Sequence, residues 1–139
     1  MKTKAVLSHQ LVSRIIEAAR HEAMINTWPV CIAVVDDGGH PLGIERLDGC
    51  APIGSYIAIE KARTSALGRR ESKVYEDMIN GGRNAFLSAP LSGTLEGGIP
   101  LIHEGEVIGA IGVSGVKPDQ DAKIARAGAE ILTAACQPM

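Results

Sequence analysis

Apolar residues early in the chain recur at three- and four-residue steps: Leu11, Val12, Ile15, Ile16, Ala19 and Ala23. That period lines one face of a helix, and Ser8 just ahead of it is a residue type that caps a first turn, so an amphipathic helix is expected from Ser8 onward. Pro29 stops its propagation. The run Val30-Cys31-Ile32-Ala33-Val34-Val35 is unbroken and rich in β-branched residues, the pattern of a central strand covered on both faces. Asp36-Asp37-Gly38-Gly39 supplies a turn, residues 41–47 supply a shorter and more polar strand, and the pair reads as an antiparallel hairpin.

The second half repeats the alternation of helix and hairpin. Residues 53–69 read as a helix with Ala58, Ala62 and Ala66 on one narrow side, which permits close backbone approach. A short helix from Ser72 to Asn80 is closed by Gly81-Gly82. Residues 82–98, with Pro90, Gly93, Gly97 and Gly98, read as an irregular segment of the length that binding loops and subunit contacts have. Two aliphatic strands, residues 99–103 and 106–113, flank Glu104-Gly105, and Pro100 belongs at a sheet edge or strand end. Pro118-Asp119 then opens a terminal helix carrying Ala122, Ala125, Ala129, Leu132 and Cys136 at helical spacing. The order α-β-β-α-α-β-β-α implies an α+β fold, a mainly antiparallel β-sheet covered by α-helices, in one domain over residues 1–139.

Composition narrows the function classes. With 14 Lys+Arg against 16 Asp+Glu the formal charge is -2, without the basic excess of a nucleic-acid surface. Glycines, prolines and charges break every apolar stretch before it can span a bilayer, and the N-terminus turns polar too early for a signal peptide. Cys31, Cys50 and Cys136 are odd in number and lack CxxC spacing, so neither a disulfide framework nor a cysteine zinc site is indicated. A reducing cytoplasm is the expected compartment. Trp28, Tyr56, Tyr75 and Phe86 are the only aromatic rings, so small aliphatic residues must pack closely between elements or between subunits, and an oligomer is expected.

The glycines at 109, 112 and 115 do not form a nucleotide loop, because no GxGxxG or Walker lysine accompanies them. Gly112-Val113-Ser114-Gly115 also lacks the GxSxG order of a nucleophile elbow. These residues instead admit a backbone or ligand close to the sheet, with Ser114 at its rim. His9, His21, His40 and His103 show no HxxH or HExxH spacing. His21, on the first helix, is the candidate for a single axial imidazole such as heme iron takes; Met24 and Met78 could also ligate but fit a core equally. Arg46, Asp48, Glu60, Lys61 and Arg63 could seat a carboxylate or propionate, with Arg46 as a planar fork and Lys61 as a point charge, or could form a solvated ion-pair network. Cys50 beside these cations is either an activated thiolate or a buried inert thiol.

Several segments together resemble one family: Val34-Val35-Asp36-Asp37-Gly38-Gly39-His40, Arg46-Leu47-Asp48-Gly49, Lys61-Ala62, Gly97-Gly98-Ile99-Pro100, the run 109–115 and Gln120-Asp121. Their order and spacing over nearly the whole chain resemble the GlcG/HbpS-like family, also described as the heme-degrading domain family. The resemblance implies a sheet covered by helices and a homo-oligomer, as a dimer-based tetramer or octamer. It implies binding of heme or a corrinoid-related tetrapyrrole; taken with the residues above, the expected ligand contacts are Arg46, Asp48, Lys61, Gly97, Gly98, Ser114 and Gly115, with His21 on iron. Other members resemble lyases for hydroxylaminoaromatic acids or stand beside glycolate and diol utilisation. A cofactor-independent lyase or isomerase for a small organic acid, with Arg46 as clamp and Asp36, Asp48 or His40 moving a proton, and an accessory subunit are therefore the alternatives. Cys50 stands where the family commonly has alanine. With most apolar surface needed for the chain's own core, a pocket across subunits is expected.

Overall fold

The computed structural model describes residues 1–135. Helix α1 is His9–Ile25, strands β1 and β2 are Cys31–Asp36 and Pro41–Arg46, and helices α2 and α3 are Ile53–Gly68 and Lys73–Asn80. Strands β3 and β4 are Gly98–His103 and Glu106–Ser114, and helix α4 is Pro118–Ala135. The α+β class and the expected order are both present. Cys136, expected on the last helix, lies outside the described residues. One element was not expected: Asn84–Ser88 form a turn of 3-10 helix inside the segment read as irregular.

The strands form one antiparallel sheet in the order β2-β1-β4-β3. The two continuously apolar strands take the interior places, while Pro41 and Pro100 lie in edge strands, where a missing N–H need not interrupt the sheet. Side chains alternate between faces along each strand. Val30, Ile32, Val34, Ile111 and Val113 meet Val12, Ile15 and Ala19 of α1 and Ile124 and Ala125 of α4 in the main core. Cys31, Ala33, Val35 and Ala110 meet Ala58, Ala62 and Ala66 of α2 on the opposite face.

Helix α2 rests on the sheet almost backbone to backbone. A Cβ placed on Gly112 would collide with the Ala58 carbonyl, and one placed on Gly98 with the Lys61 carbonyl. Small residues on both sides of this contact take the place of ring packing, which is how a chain with 3% aromatics fills its interior. The Ser8 hydroxyl accepts from Leu11 N at 3.1 Å and caps α1 as expected. At the end of α2, Arg69 adopts the left-handed conformation at φ 58°, and Arg69 N and Arg70 N donate to the Ala66 and Ser65 carbonyls. Glycine cannot be exchanged with its neighbour here, because a Cβ on Gly68 would collide with the Tyr75 hydroxyl.

Candidate functional site

The residues singled out in the sequence divide between the two faces of the sheet. On the α2 side, Arg46 and Ser114 are the register partners of Cys31 on its two flanks, so Arg46, Cys31 and Ser114 form a row across one end of the sheet. Arg46 is exposed at its edge. Cys50 packs against this row, with Sγ 3.4 Å from the Ala51 carbonyl and 3.8 Å from the Ser114 carbonyl. Burial pushes both thiols upward; the nearby Arg46 charge pulls against this at each, and so does a hydrogen bond from Ser55 at Cys31. Cys50 is therefore a protonated, nearly enclosed thiol at neutral pH, the inert alternative of the two open from sequence.

Lys61 is only 4% exposed. Its ammonium donates to Asp121 Oδ2 at 3.0 Å and to the Val113 carbonyl at 3.0 Å, while Asp121 Oδ1 accepts from Val116 N at 3.1 Å. Burial raises the Asp121 carboxyl against the pull of Lys61 and the Val116 N–H. Gly97, at φ +132°, and Gly98 wrap this lysine: a Cβ on Gly97 would lie 2.9 Å from Lys61 Nζ. Gly115, at φ +150°, passes so close to Pro29 that a Cβ would lie 2.5 Å from its carbonyl oxygen. The five charged residues clustered in sequence do not form one group. Arg63 pairs with Glu60 at 3.0 Å and packs its stem near Gly39, at the opposite end of the sheet from Arg46.

Asp48 belongs to the other face. With Ala23, Met24, Thr27, Trp28, Pro29 and Leu47 it lines an open, mainly apolar groove of about 570 Å³ between the end of α1 and the loop after β2. His21 is exposed one helical turn before Met24, and Met24 and Ile25 are each 64% exposed. Sequence reasoning missed Lys123 of α4, whose ammonium stands 5.6 Å from the Trp28 ring centroid and 3.6 Å from Glu22 Oε1. The available signal was Trp28 itself, a single large ring beside a proline in a chain with few rings.

Other candidates serve local structure. Asp36 Oδ1 accepts from the N–H groups of Gly38 and His40 and lies 3.0 Å from His40 Nδ1, closing the first hairpin turn. Burial would raise this carboxyl, yet these hydrogen bonds outweigh it and hold Asp36 below the ordinary range. Met78 is half-buried on α3. Among the described residues no three His, Cys, Asp or Glu side chains converge on a metal position.

The family model described as "Haem degrading protein HbpS-like" matches residues 7–130. The chain belongs to this family. Protein GlcG of Escherichia coli strain K12 is 60% identical over 114 residues, which cover 82% of this chain and 85% of that protein. The HbpS-like fold is shared with HbpS of Streptomyces reticuli, solved as a double mutant, at a TM-score of 0.86 and 27% identity, covering 95% of this chain and 90% of that one. It is also shared with PduOC, solved as a complex with heme, at a TM-score of 0.81 and 26% identity, covering 91% and 95%. Among the described residues no helix is long and apolar enough to cross a membrane.

Proposed function

We propose that this chain binds heme or a related tetrapyrrole in the groove between the end of α1 and the loop after β2, with His21 as the axial ligand. The observation that carries it is an apolar groove of about 570 Å³ lined by Met24, Trp28 and Leu47, with the exposed His21 one helical turn before Met24. The residues fit the group: a tetrapyrrole face is apolar, its metal takes a single imidazole, and Lys123 at the rim offers a cation to a propionate. The heme held by the relative PduOC supports the ligand class. Asp48, also at the rim, orients a polar edge of the ring. Arg46 and Ser114 lie on the opposite face, Gly115 backs onto Pro29 of the groove wall, and Lys61, Gly97 and Gly98 are engaged with one another, so their contribution is to hold the sheet end that carries the groove.

The chain also acts as a homo-oligomer in this reading. Gly43 and Glu45 of β2 face α1, where a Cβ on Gly43 would meet Ile16 and Glu45 pairs with Arg20 at 2.8 Å. Leu42 and Ile44 consequently point to the α2 side, where both are exposed along with Ile53 and Tyr56 of α2. Such an apolar edge is of the kind that a second copy covers.

Hemin titration followed by absorbance tests the site. A saturable Soret shift at one heme per chain, weakened at least about tenfold in His21→Ala, is the expected result. His21 is exposed, so its replacement leaves the core intact. A linear response equal to that of a nonspecific control protein would overturn the reading.

A further inference from the structure

A second cavity, of about 550 Å³, lies at the opposite end of the sheet from the groove. Both hairpin turns reach it, the β1–β2 turn through Asp37 and the β3–β4 turn through His103 and Glu104, and the N-terminal residues 2–5 and Arg69 complete it. Unlike the first groove it is polar, and its charges are not evenly committed. Lys4 pairs with Asp37 at 2.9 Å, which removes one charge of each sign. Glu104 projects into solvent with its side chain 84% exposed. Lys2 and Arg69 remain as cations against the carboxylates of Glu104 and Glu106, two charges of each sign.

Arg69 occupies its place at a cost. The left-handed position that ends a helix is usually taken by glycine, and a side chain there is strained. The residue held there directs a guanidinium across to the first hairpin turn, where Nη1 donates to the carbonyls of Asp37 and Ala66. This single nitrogen clips the turn to the helix end. Nε and Nη2 have no hydrogen bond among the described residues and belong to a side chain that lines the cavity. A guanidinium held by one nitrogen with the remaining edge free is preorganised for two parallel hydrogen bonds to an anionic head.

We propose that this cavity is a site for a small organic anion whose carboxylate or phosphate head is held by Arg69 and Lys2, with the rest of the molecule filling the space between the hairpin turns. The site is independent of the tetrapyrrole groove, since no residue lines both. Its volume is that of an ordinary small-molecule site, and its polar wall suits a hydrophilic body rather than a macrocycle.

Calorimetric titration of the full chain with citrate and with inorganic phosphate tests it. Saturable binding of at least one of them at one per chain, with Kd below about 1 mM, is expected. Citrate binding alone identifies a carboxylate head, phosphate binding alone a phosphate head, and both outcomes support the site. Arg69→Gln should weaken binding at least about tenfold and leave hemin binding unchanged, which separates failure here from failure of the groove. Lys2→Ser, at an exposed terminal residue that cannot disturb folding, should weaken it severalfold. No saturable heat with either probe up to about 10 mM, or affinity that both variants leave unchanged, would overturn the proposal.

Discussion

Lys61 shows how far the environment of one residue can reverse a reading of its type. In sequence it stands among charged neighbours and reads as a surface cation for a propionate; in the fold Asp121, 60 positions away, takes its charge inside the protein. Nothing local announces that partner, because it comes from a helix at the far end of the chain. A buried pair broken on one side leaves an uncompensated charge, so Lys61→Met or Asp121→Asn should each lower stability by about 3–5 kcal/mol in urea denaturation. The double variant Lys61→Met with Asp121→Leu should recover much of that loss. Single variants within about 1 kcal/mol of the parent would contradict a dry ion pair. Cys50 follows the same logic, since neighbouring cations in sequence favour a thiolate while burial in the fold outweighs them.

At the scale of elements most of the architecture was legible. Helical and strand periods placed every major helix and strand, because core-facing residues must repeat with the geometry of the element that carries them. The turn at Asn84–Ser88 was not legible: it is short, it buries none of its residues, and its anchor is the stacking of Phe86 on Tyr75 at 4.9 Å, a contact between elements. The role of Gly112 was legible only in kind: close approach was foreseeable from its position in a strand, but that α2 rather than a ligand approaches it depends on the fold. Gly98, read in the irregular segment 82–98 and as a ligand contact, instead opens β3 against the Lys61 carbonyl. The edge strand β2 carries its own prediction. Ile44→Glu should convert an assembly larger than one 14.6 kDa chain into smaller species by light scattering, with secondary structure retained. An unchanged mass would place the subunit contact elsewhere.

For the whole molecule, the sheet separates two chemistries that sequence proximity had merged. Arg46 and Asp48 are two residues apart yet serve opposite faces, since Arg46 sits beside Cys31 on the α2 side and Asp48 lines the groove beside α1. The chain turns over the sheet edge between them. This division leaves an apolar groove at one end of the sheet and a polar cavity at the other, each built from loops on a rigid framework.

Trp28 is the chain's only tryptophan and lines the groove, so its fluorescence reports ligand entry directly. The decisive measurement is quenching of that fluorescence by hemin in the parent protein and in Leu47→Glu, which puts a charge on the groove wall, with Arg46→Ala as the control on the opposite face. Saturable quenching at one heme per chain, weakened at least about tenfold by Leu47→Glu and unchanged by Arg46→Ala, is the predicted result. Equal quenching curves for the parent and Leu47→Glu, or a loss confined to Arg46→Ala, would contradict the placement of the ligand in this groove.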